Sequence, residues 1–475
     1  MLSLWLRSIA IAAPLTLLYA CAVGPDYHRP STESPASYKE LGDWKIAQPR
    51  DHLSRGNWWE IYQDTQLTDL ERQVSISNQN VRAAEAQLRQ ARAAVQGARA
   101  QYFPTISSAA SAQRGNSSTS NGAVNNYALS VDAAWEPDMW GRVRRSVEAN
   151  AASAQASVAD LESVRLLAQA ELAQDYFLLR VADAQRRLLD ETIVGYQKSL
   201  QLTKNQYAVG VAAKVDVVQA ETQLKTTQAQ AIDVGVQRAQ LEHAIAILAG
   251  KAASSFSIAP SPLALNTVPP PIPVGVPSQL LERRPDIAGA ERRVTAANAQ
   301  IGVSKAAFFP ALTLAATSGF ESTSLAQLFT LPSRIWSLGP ALAQTLFDAG
   351  ARRAQTDQAI AAYDASVAIY RQAVLNGFQE VEDNIAALRI LEQEAQVQGE
   401  AVKDARQVVA ITSNQYKAGT VSYLNVVTAQ STALSNERTA LTVLSSRLTA
   451  SVLLIKALGG GWNTKDLPTA IERAR

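Results

Sequence analysis

The chain has 475 residues, with 44 lysines and arginines against 42 aspartates and glutamates, which leaves a formal net charge of +2 at pH 7. This balance excludes a strongly basic nucleic-acid binder and an acidic disordered chain. The single cysteine excludes a disulfide framework, and the histidines, His28, His52 and His243, lie too far apart in sequence for an HExxH-type zinc motif.

The first segment, residues 1–20, predicts an export signal. Arg7 supplies a positive start, and the apolar run at residues 9–18 is too short to cross a bilayer as a mature helix. Cys21 follows a small residue, so the segment resembles a bacterial lipoprotein signal, which is cut before the cysteine and lipidated on its thiol. Ala22 at the next position implies sorting to the outer membrane in such lipoproteins. An ordinary secretory signal with a chance cysteine is the alternative.

An arm at residues 21–60 follows, and its prolines and glycines without hydrophobic periodicity predict an extended segment. Because the cysteine opens this arm, we expect it to be anchored to lipid. The first of two similar units occupies residues 61–256. It opens with a predicted helix that ends near Phe103-Pro104, because proline disfavours α geometry in the residue before it.

A β-hairpin is predicted next, at residues 105–136, with its first strand at 105–114 and a polar external loop at 115–126. The second strand alternates between an apolar and a polar side, which is typical of a strand with two different faces. Its apolar side carries Tyr127, Leu129, Val131, Ala133 and Trp135. A length of about nine residues suits a tilted membrane strand, and tryptophans near strand ends suit the aromatic girdles of membrane barrels. A soluble hairpin is the alternative.

A long stretch without proline completes the unit. Val209-Gly210-Val211 interrupts it with a glycine that suits a helix end or a tight turn. We therefore expect two antiparallel helices that meet at a tip near residues 208–213. The first, from about Arg142 to Tyr207, would extend roughly 100 Å at 1.5 Å per residue, so it must pack along its length as a coiled coil.

Apolar residues at alternating steps of three and four predict the seam of this coiled coil. In the first unit the seam comprises Val217, Ala220, Leu224, Thr227, Ala231, Val234, Arg238, Leu241, Ile245 and Leu248. In the second unit it comprises Leu424, Val427, Ser431, Leu434, Arg438, Leu441, Ser445, Leu448, Val452 and Ile455. The polar members suit a tube wall with a wet inner face, whereas periodicity alone favours an ordinary antiparallel coiled coil.

The second unit repeats the plan of the first. A proline-rich linker at residues 257–276 precedes it, the unit covers residues 277–467, and residues 468–475 form a tail. Its parts are a helix ending at Phe309-Pro310, a hairpin at 311–347 with strands at 311–320 and 334–347, and a helical hairpin with its tip near 417–422. Segments matched in order, such as Asn205-Gln206-Tyr207 and Asn414-Gln415-Tyr416, indicate duplication of a unit of about 200 residues.

Four predicted strands cannot close a sheet in lipid, because an open edge would leave backbone groups unpaired. The smallest membrane barrels have about eight strands, so the chain is expected to oligomerise. Two copies would supply eight strands, whose interior is filled by side chains, and three copies would supply twelve, which can hold a channel. A transport role therefore favours three copies.

Six motifs lie on this duplicated frame. They are Gly24-Pro25-Asp26-Tyr27-His28-Arg29-Pro30, Trp58-Trp59, Arg283-Arg284-Pro285-Asp286-Ile287 with Glu291, Ala306-Ala307-Phe308-Phe309-Pro310, Phe347-Asp348-Ala349-Gly350 and Ala457-Leu458-Gly459-Gly460-Gly461-Trp462. Together they resemble those of outer-membrane efflux factors, the TolC/OprM-like lipoproteins of tripartite pumps. The resemblance implies a lipid-anchored homotrimer with a twelve-stranded outer-membrane β-barrel and a long α-helical barrel in the periplasm. It also implies an inner-membrane pump and a periplasmic adaptor as partners, no nucleic acid, no cofactor or metal, and no enzymatic activity.

The resemblance further assigns roles to the helical tips. The residues that match adaptor-docking positions are Val209, Gly210, Val211, Gly419 and Thr420. The residues that match or lie beside gate positions are Asp216, Tyr416, Leu424, Asn425 and Thr428. Acidic rings are common in the family at positions matching Asn425 or Thr428, but both are neutral here, and Leu424 is expected to form an apolar plug. Asp216 fits equally well as an acid favoured by a helix start.

The expected function is a passive, gated conduit that exports small molecules from the periplasm, with energy supplied by another protein. The glycines at residues 459–461 lack the Lys-Ser/Thr pair of a phosphate-binding loop, in agreement with a subunit that uses no nucleotide. A duct for type I protein secretion is an alternative within the class. A non-transporting, lipid-anchored coiled-coil protein of the envelope is an alternative from another class.

Overall fold

The computed structural model describes residues 22–41, 57–116, 123–272, 274, 277–462 and 465. The signal, Cys21 and the tail at residues 468–475 lie outside the described residues. The main helices are α1 (Thr65–Ser77), α2 (Gln79–Ala100), α3 (Arg142–Ala208), α4 (Lys214–Leu248), α5 (Pro285–Ala306), α6 (Ala351–Lys417) and α7 (Tyr423–Ala457), with a single helical turn at Leu280–Arg283. The strands are β1 (Thr105–Asn116), β2 (Ala123–Trp135), β3 (Ala311–Ser322) and β4 (Arg334–Ala343).

The long helices occur as two pairs of equal length. Helices α3 and α6 each contain 67 residues, and α4 and α7 each contain 35. A helix of the longer kind extends roughly 100 Å at 1.5 Å per residue. Each long helix packs against the shorter helix that follows it, so each unit ends in an antiparallel helical hairpin.

Helices α3 and α6 begin with the same capping device. The Asp138 carboxylate accepts the backbone N–H of Val143 at 2.9 Å, and Asp348 accepts that of Arg352 at 3.2 Å. The first N–H groups of a helix have no partner within the helix, and its N-terminus favours negative charge. An aspartate at this position in both units therefore fixes where each long helix starts.

The single helix predicted at the start of the first unit is instead two helices. Asn78 separates α1 from α2, and its side chain accepts the backbone N–H groups of Asn80 at 2.9 Å and Val81 at 3.2 Å. The asparagine thereby caps α2 and takes an extended conformation, which breaks the helical path. Sequence periodicity missed this break because apolar residues continue on both sides of it.

The four strands form one antiparallel sheet in the order β1-β2-β3-β4. One row across the sheet consists of Ser107, Asp132, Thr317 and Ser337, each opposite the next. The paired strand ends Asn116 and Ala123, and the loop that joins β3 to β4, lie at the end of the sheet away from the helices. Both hairpins of the duplicated chain thus lie side by side in a single sheet.

Four strand ends differ from the sequence prediction. Strand β3 was predicted to end at residue 320 and continues to Ser322, which pairs with Tyr127 of β2. Strands β1 and β2 continue into the segment expected to be a loop at 115–126, because polar residues such as Asn116, opposite Ala123, still pair along the ladder. Strand β4 ends at Ala343, short of the predicted end. Ala343 pairs with Ala311, which is the first residue of β3, so no partner remains beyond it.

The main hydrophobic core lies where the middle of α3 and α6 meets the far ends of α4 and α7. Trp58 and Trp59 are buried there, as is Ile258 of the linker. The arm also reaches the region of this core. Lys39 donates its backbone N–H to the Glu382 carboxylate of α6 at 2.7 Å. The linker and the arm are therefore packed against this core.

The other end of the arm lies where the sheet meets the helices. The backbone N–H of Val23 donates to the carbonyl of Trp140, between β2 and α3, at 3.1 Å. A side chain added at Gly141 would lie 3.0 Å from the Cα of Ala22, so the chain just after Cys21 is held closely at this junction. The arm thus runs from the sheet–helix junction to the main core.

The coiled-coil seam predicted for α4 is largely confirmed. Its buried members are Val217, Ala220, Leu224, Thr227, Ala231, Val234, Ile245 and Leu248. The seam predicted for α7 is wrong near the tip, where Leu424 is 55% exposed and Tyr423 and Val426 are buried instead. Farther along α7, the predicted Leu434, Leu441, Leu448, Val452 and Ile455 are buried.

By length and composition alone, α7 could cross a membrane, and it is the one helix of the described ranges that could. However, 56% of its apolar window is buried within the chain. It packs along α6 and α3, which is the behaviour of a core helix in the helical part.

Candidate channel surface and tip

One face of the sheet is apolar. Because side chains alternate along each strand, the pairing register sorts them into two sets. The large apolar side chains of the first set are Ile106, Tyr127, Leu129, Val131, Trp135, Leu312, Leu314, Phe320, Trp336, Leu338 and Leu342. In the single chain, Trp336 is 73% and Leu338 77% exposed. An apolar surface of this extent requires a membrane or another protein to cover it.

The opposite face of the sheet is polar. Its polar side chains are Thr105, Ser107, Ser111, Gln113, Asn126, Ser130, Asp132, Thr313, Thr317, Glu321 and Ser337. The Asp132 carboxylate accepts hydrogen bonds from the hydroxyls of Ser130 at 2.8 Å and Thr317 at 2.7 Å. Asn126 donates to Glu321 at 2.9 Å. This face carries a hydrogen-bonded polar surface of the kind that contacts water.

The two outer strands leave the sheet open. In the described part of the chain, β1 and β4 each pair on one side only. Unpaired backbone groups facing lipid cost several kcal/mol each. A two-faced sheet with two open edges can therefore lie in a membrane only if other strands pair with both edges.

The two helical tips close in the same way. In the first, Gly210 has φ +79° and the backbone N–H of Val211 donates to the carbonyl of Gln206 at 2.8 Å. In the second, Gly419 has φ +74° and Thr420 makes the equivalent bond to Gln415 at 3.0 Å. This is the usual glycine closure of a helix end, and it requires a residue that tolerates positive φ.

The surfaces of the two tips differ. Val209 and Val211 at the first tip are 74% and 70% exposed. The second tip exposes Gly419 and Thr420, which offer little apolar surface. The residues expected to dock an adaptor are therefore accessible, and the first tip offers the larger apolar contact.

Tyr416 does not project from the helices, in contrast to the expectation for a gate residue. It is buried in a cluster with Ala220, Tyr423 and Val426. Its hydroxyl donates to Thr203 of α3 at 3.3 Å, and burial raises its pKa. Tyr416 therefore joins α3, α4, α6 and α7 at the base of the tip.

Three of the expected gate residues share an exposed surface at the start of α7. Leu424, Asn425 and Thr428 are exposed, and the Thr428 hydroxyl is turned back to the carbonyl of Leu424 at 2.9 Å. Small exposed hydroxyl residues continue along the helix at Thr432, Ser435, Thr439 and Thr442. These hydroxyl residues were not among the expected site residues, although their helical spacing in the sequence could have revealed the stripe.

Asp216 occupies the first turn of α4, and its carboxylate accepts the backbone N–H of Ala213 at 3.1 Å. This contact supports the capping interpretation of the residue. None of the three residues of the exposed gate surface, Leu424, Asn425 and Thr428, is therefore acidic. Among the described residues there is also no group of three or more metal-ligating side chains.

Comparison with known proteins identifies the class. Residues 70–251 and 276–460 match the outer membrane efflux protein family. The chain therefore belongs to this family of outer-membrane channels, which confirms the resemblance carried by its motifs and places its helical part in the periplasm.

Individual relatives cover nearly the whole chain. The probable efflux pump outer membrane protein TtgC of Pseudomonas putida is 30% identical over 462 residues, which is 96% of this chain and 95% of the relative. The cation efflux system protein CusC of Escherichia coli K12 is 28% identical over 448 residues, covering 94% of this chain and 97% of the relative.

Solved structures share the fold. The outer-membrane channel OprN aligns with a TM-score of 0.85 and 31% identity, covering 93% of this chain and all (100%) of that one. The MtrE outer membrane channel of Neisseria gonorrhoeae, in its open state, aligns with a TM-score of 0.81 and 26% identity, covering 94% of this chain and 100% of that one. The predicted combination of membrane strands and long helical hairpins is therefore confirmed as the fold of these channels.

Proposed function

We propose that this protein is the outer-membrane channel of a tripartite efflux pump, a passive gated conduit through which small molecules leave the periplasm. The observation that carries the proposal is the sheet, which is apolar on one face, polar on the other and open at both edges. Lipid would cover the apolar face, and the polar face would line the water-filled path. Homologues named as efflux pump outer membrane proteins support this role.

Three copies would close the sheet. Each copy would contribute four strands, and β4 of one chain would pair with β1 of the next, which removes every open edge. Twelve strands leave room for a channel, whereas the eight strands of a dimer would be filled by side chains. The two units of each chain would thus supply one hairpin each to the barrel and one helical hairpin each to the periplasmic tunnel.

Cys21 would anchor the chain to the outer membrane through lipid. The position of Ala22 and Val23, held at the junction of sheet and helices, supports this role. The cysteine preceding them would lie at the membrane surface, where an acyl chain can insert. The arm would then connect this anchor to the main core of the helical part.

The tips would meet the partners. An adaptor would dock at Val209, Gly210 and Val211 of the first tip and at Gly419 and Thr420 of the second. The exposed apolar valines favour such a contact, because they are solvent-accessible in the chain by itself. An inner-membrane pump joined through the adaptor would supply the energy.

The gate would lie beside the second tip. Leu424 would form the narrowest apolar ring, with Asn425 and Thr428 next to it, and all of them are exposed as this role requires. Tyr416 would support the ring from behind, and Asp216 would fix the start of α4. The hydroxyl stripe that continues from Thr428 would line the neutral wall above the gate.

The cargo would be small toxic compounds. Relatives are named for the efflux of antibiotics, toluene, solvents and cations. We expect the choice among these compounds to be made by the inner-membrane pump that supplies the energy. A duct for secreted polypeptides would have the same geometry with a different pump.

Planar-bilayer recording on the purified protein tests the proposal. The expected result is discrete ion conductance from a particle with the mass of three chains. A trimer with no conductance would contradict a channel and favour a structural coiled coil. A deletion strain with increased susceptibility to small toxic compounds, and unchanged secretion of proteins, would separate efflux from polypeptide export.

A further inference from the structure

The four strands contain four charged residues, and the register separates them by sign. They are Arg114, Asp132, Glu321 and Arg334, one on each strand. Both acids lie on the polar face, since Asp132 is opposite Thr317 and Glu321 is opposite Ala128. Both arginines lie on the apolar face.

The arginines lie at the end of the sheet away from the helices. Arg114 is near the last residue of β1, and Arg334 is the first residue of β4. An arginine at the edge of an apolar band can extend its guanidinium into the headgroup region. Their charges would therefore face lipid headgroups and leave the acids of the other face unbalanced.

The acids have polar but neutral neighbours. The partners of Asp132 are the hydroxyls of Ser130 and Thr317, and Ser107 and Ser337 complete its row across the sheet. Glu321 accepts from the side-chain amide of Asn126. In the described strands, neither acid forms an ion pair, so each contributes an uncompensated negative charge to the polar face.

We propose that Asp132 and Glu321 set the charge selectivity of the conduit, making it prefer cations to anions. The inference rests on the proposed closed trimer, in which the copies of each acid would form a ring around the water-filled path. Rings of one charge in a narrow passage with low-dielectric walls attract counter-ions and repel co-ions. The selectivity would then arise in the membrane barrel, while the exposed gate surface at Leu424, Asn425 and Thr428 stays neutral.

The dependence on salt follows from screening. The Debye length is about 30 Å at 0.01 M salt and about 3 Å at 1 M. At low salt the field of each ring extends across the passage, and at high salt it is confined to the wall. Cation preference should therefore be clear at low salt and nearly lost at 1 M.

Reversal potentials of the purified trimer in a KCl gradient test the inference. The Asp132→Asn variant should lower the ratio of potassium to chloride permeability several-fold at low salt, and the double variant with Glu321→Gln should bring it close to unity. Asparagine has nearly the same size as aspartate, and its side-chain oxygen can still accept a hydrogen bond from a hydroxyl. The variant is therefore expected to form the same strand. Glu321→Gln by itself provides a second variant if Asp132→Asn does not assemble.

Arg334→Gln is the matched control, because it changes one charge on the opposite face and should leave the ratio unchanged. An unchanged ratio in the double variant, or an equal change in Arg334→Gln, would overturn the inference while the channel itself stands. A wild-type trimer without current would overturn the proposed function and the inference with it.

Discussion

Tyr416 at the end of α6 and Tyr423 at the start of α7 pack against each other across the second tip, with ring centroids 5.3 Å apart and planes inclined by 59°. The two residues are 7% and 2% exposed. Burial raises the pKa of Tyr423 to about 12, so its hydroxyl stays neutral and the ring acts by packing. The contact sets the rotation of α7, and Leu424 consequently faces outward. The residue proposed to close the gate and the residues that support it are therefore adjacent but distinct.

The first prediction concerns Leu424. The Leu424→Ser variant should raise the single-channel conductance of the purified trimer, because a smaller polar side chain would widen and wet the proposed ring. Its stability should change by no more than about 0.5 kcal/mol, since the leucine is already exposed.

Val209→Ser at the first tip is the matched control for this variant. It should leave conductance unchanged and weaken binding of the adaptor, measured with the purified partner. Conductance that is the same in Leu424→Ser and the parent would show that the leucine does not form the constriction.

The second prediction concerns the closure of the first tip. Gly210 has φ +79° with no atom near its missing Cβ, so Gly210→Ala adds backbone strain without a clash. The left-handed conformation costs an ordinary residue roughly 1–2 kcal/mol. Hydrogen exchange should therefore be about 5–30-fold faster for amides of this tip. Gly235→Ala, in open space inside α4, should instead stabilise its helix by about 0.5–1 kcal/mol. Equal protection of the tip amides against hydrogen exchange in Gly210→Ala and Gly235→Ala would contradict the role of Gly210 in closing the tip.

The third prediction concerns a buried ion network near the main core. Asp183 accepts from Arg238 at 2.7 Å, from Arg180 at 3.2 Å and from the backbone N–H of Ser261 at 2.9 Å. Arg238 would keep its ion pair with Glu242, but Asp183→Asn would leave the buried guanidinium of Arg180 without an acidic partner among the described residues. Removing one partner of a buried pair typically costs about 3–5 kcal/mol. The Tm of the trimer in detergent should fall markedly. Asp190→Asn, which breaks an exposed pair, should cost less than about 1 kcal/mol. Similar Tm values for the two variants would contradict the network's role.

The fourth prediction concerns pH. Burial, with the charge of Glu171 as a smaller cause, raises the pKa of Asp175 from 3.8 to about 6. Between these values the folded chain holds a proton that the unfolded chain has lost, so this group's contribution to stability falls as pH rises from about 4 to about 6. As pH rises from about 4 to about 6, the Tm of Asp175→Asn should therefore increase relative to that of the parent. Above pH 6 the difference between the two Tm values should stay constant. A Tm difference that is constant from pH 4.5 to 7 would contradict the raised pKa.

Local signals in the sequence were enough to predict the hairpins and the tips. Alternation fixes which residues of a strand share a face, and glycines at positions 210 and 419 mark the turns. The rotation of α7 was not predictable in this way. Tyr423 and Leu424 are adjacent apolar residues that fit a seam equally well, and the choice between them depends on Tyr416, which belongs to another helix.

The sorting of strand charges also lay beyond sequence analysis. Asp132 and Glu321 occur on different hairpins, and only the pairing of β2 with β3 places them on the same face. Strand ends were missed for the same reason, because a ladder continues as long as a partner strand is present. Contacts between distant segments decide these features, and periodicity within one segment does not contain them.

The central claim, closure of the sheet by three copies, is tested most directly by cross-linking its two edges. Ser107 on β1 and Ser337 on β4 lie in one row on the polar face, at opposite edges of the sheet. Closing a barrel staggers neighbouring strands, so Ser337 of one chain and Ser107 of the next would be offset along the strands. A chain carrying Ser107→Cys and Ser337→Cys, treated in outer membranes with flexible thiol cross-linkers of graded length, should give covalent dimers and trimers on a denaturing gel once the cross-linker spans this offset, and nothing larger. The parent chain and each single variant should not give the trimer. A ladder that stops at two copies, extends beyond three or fails to form would contradict closure by three chains.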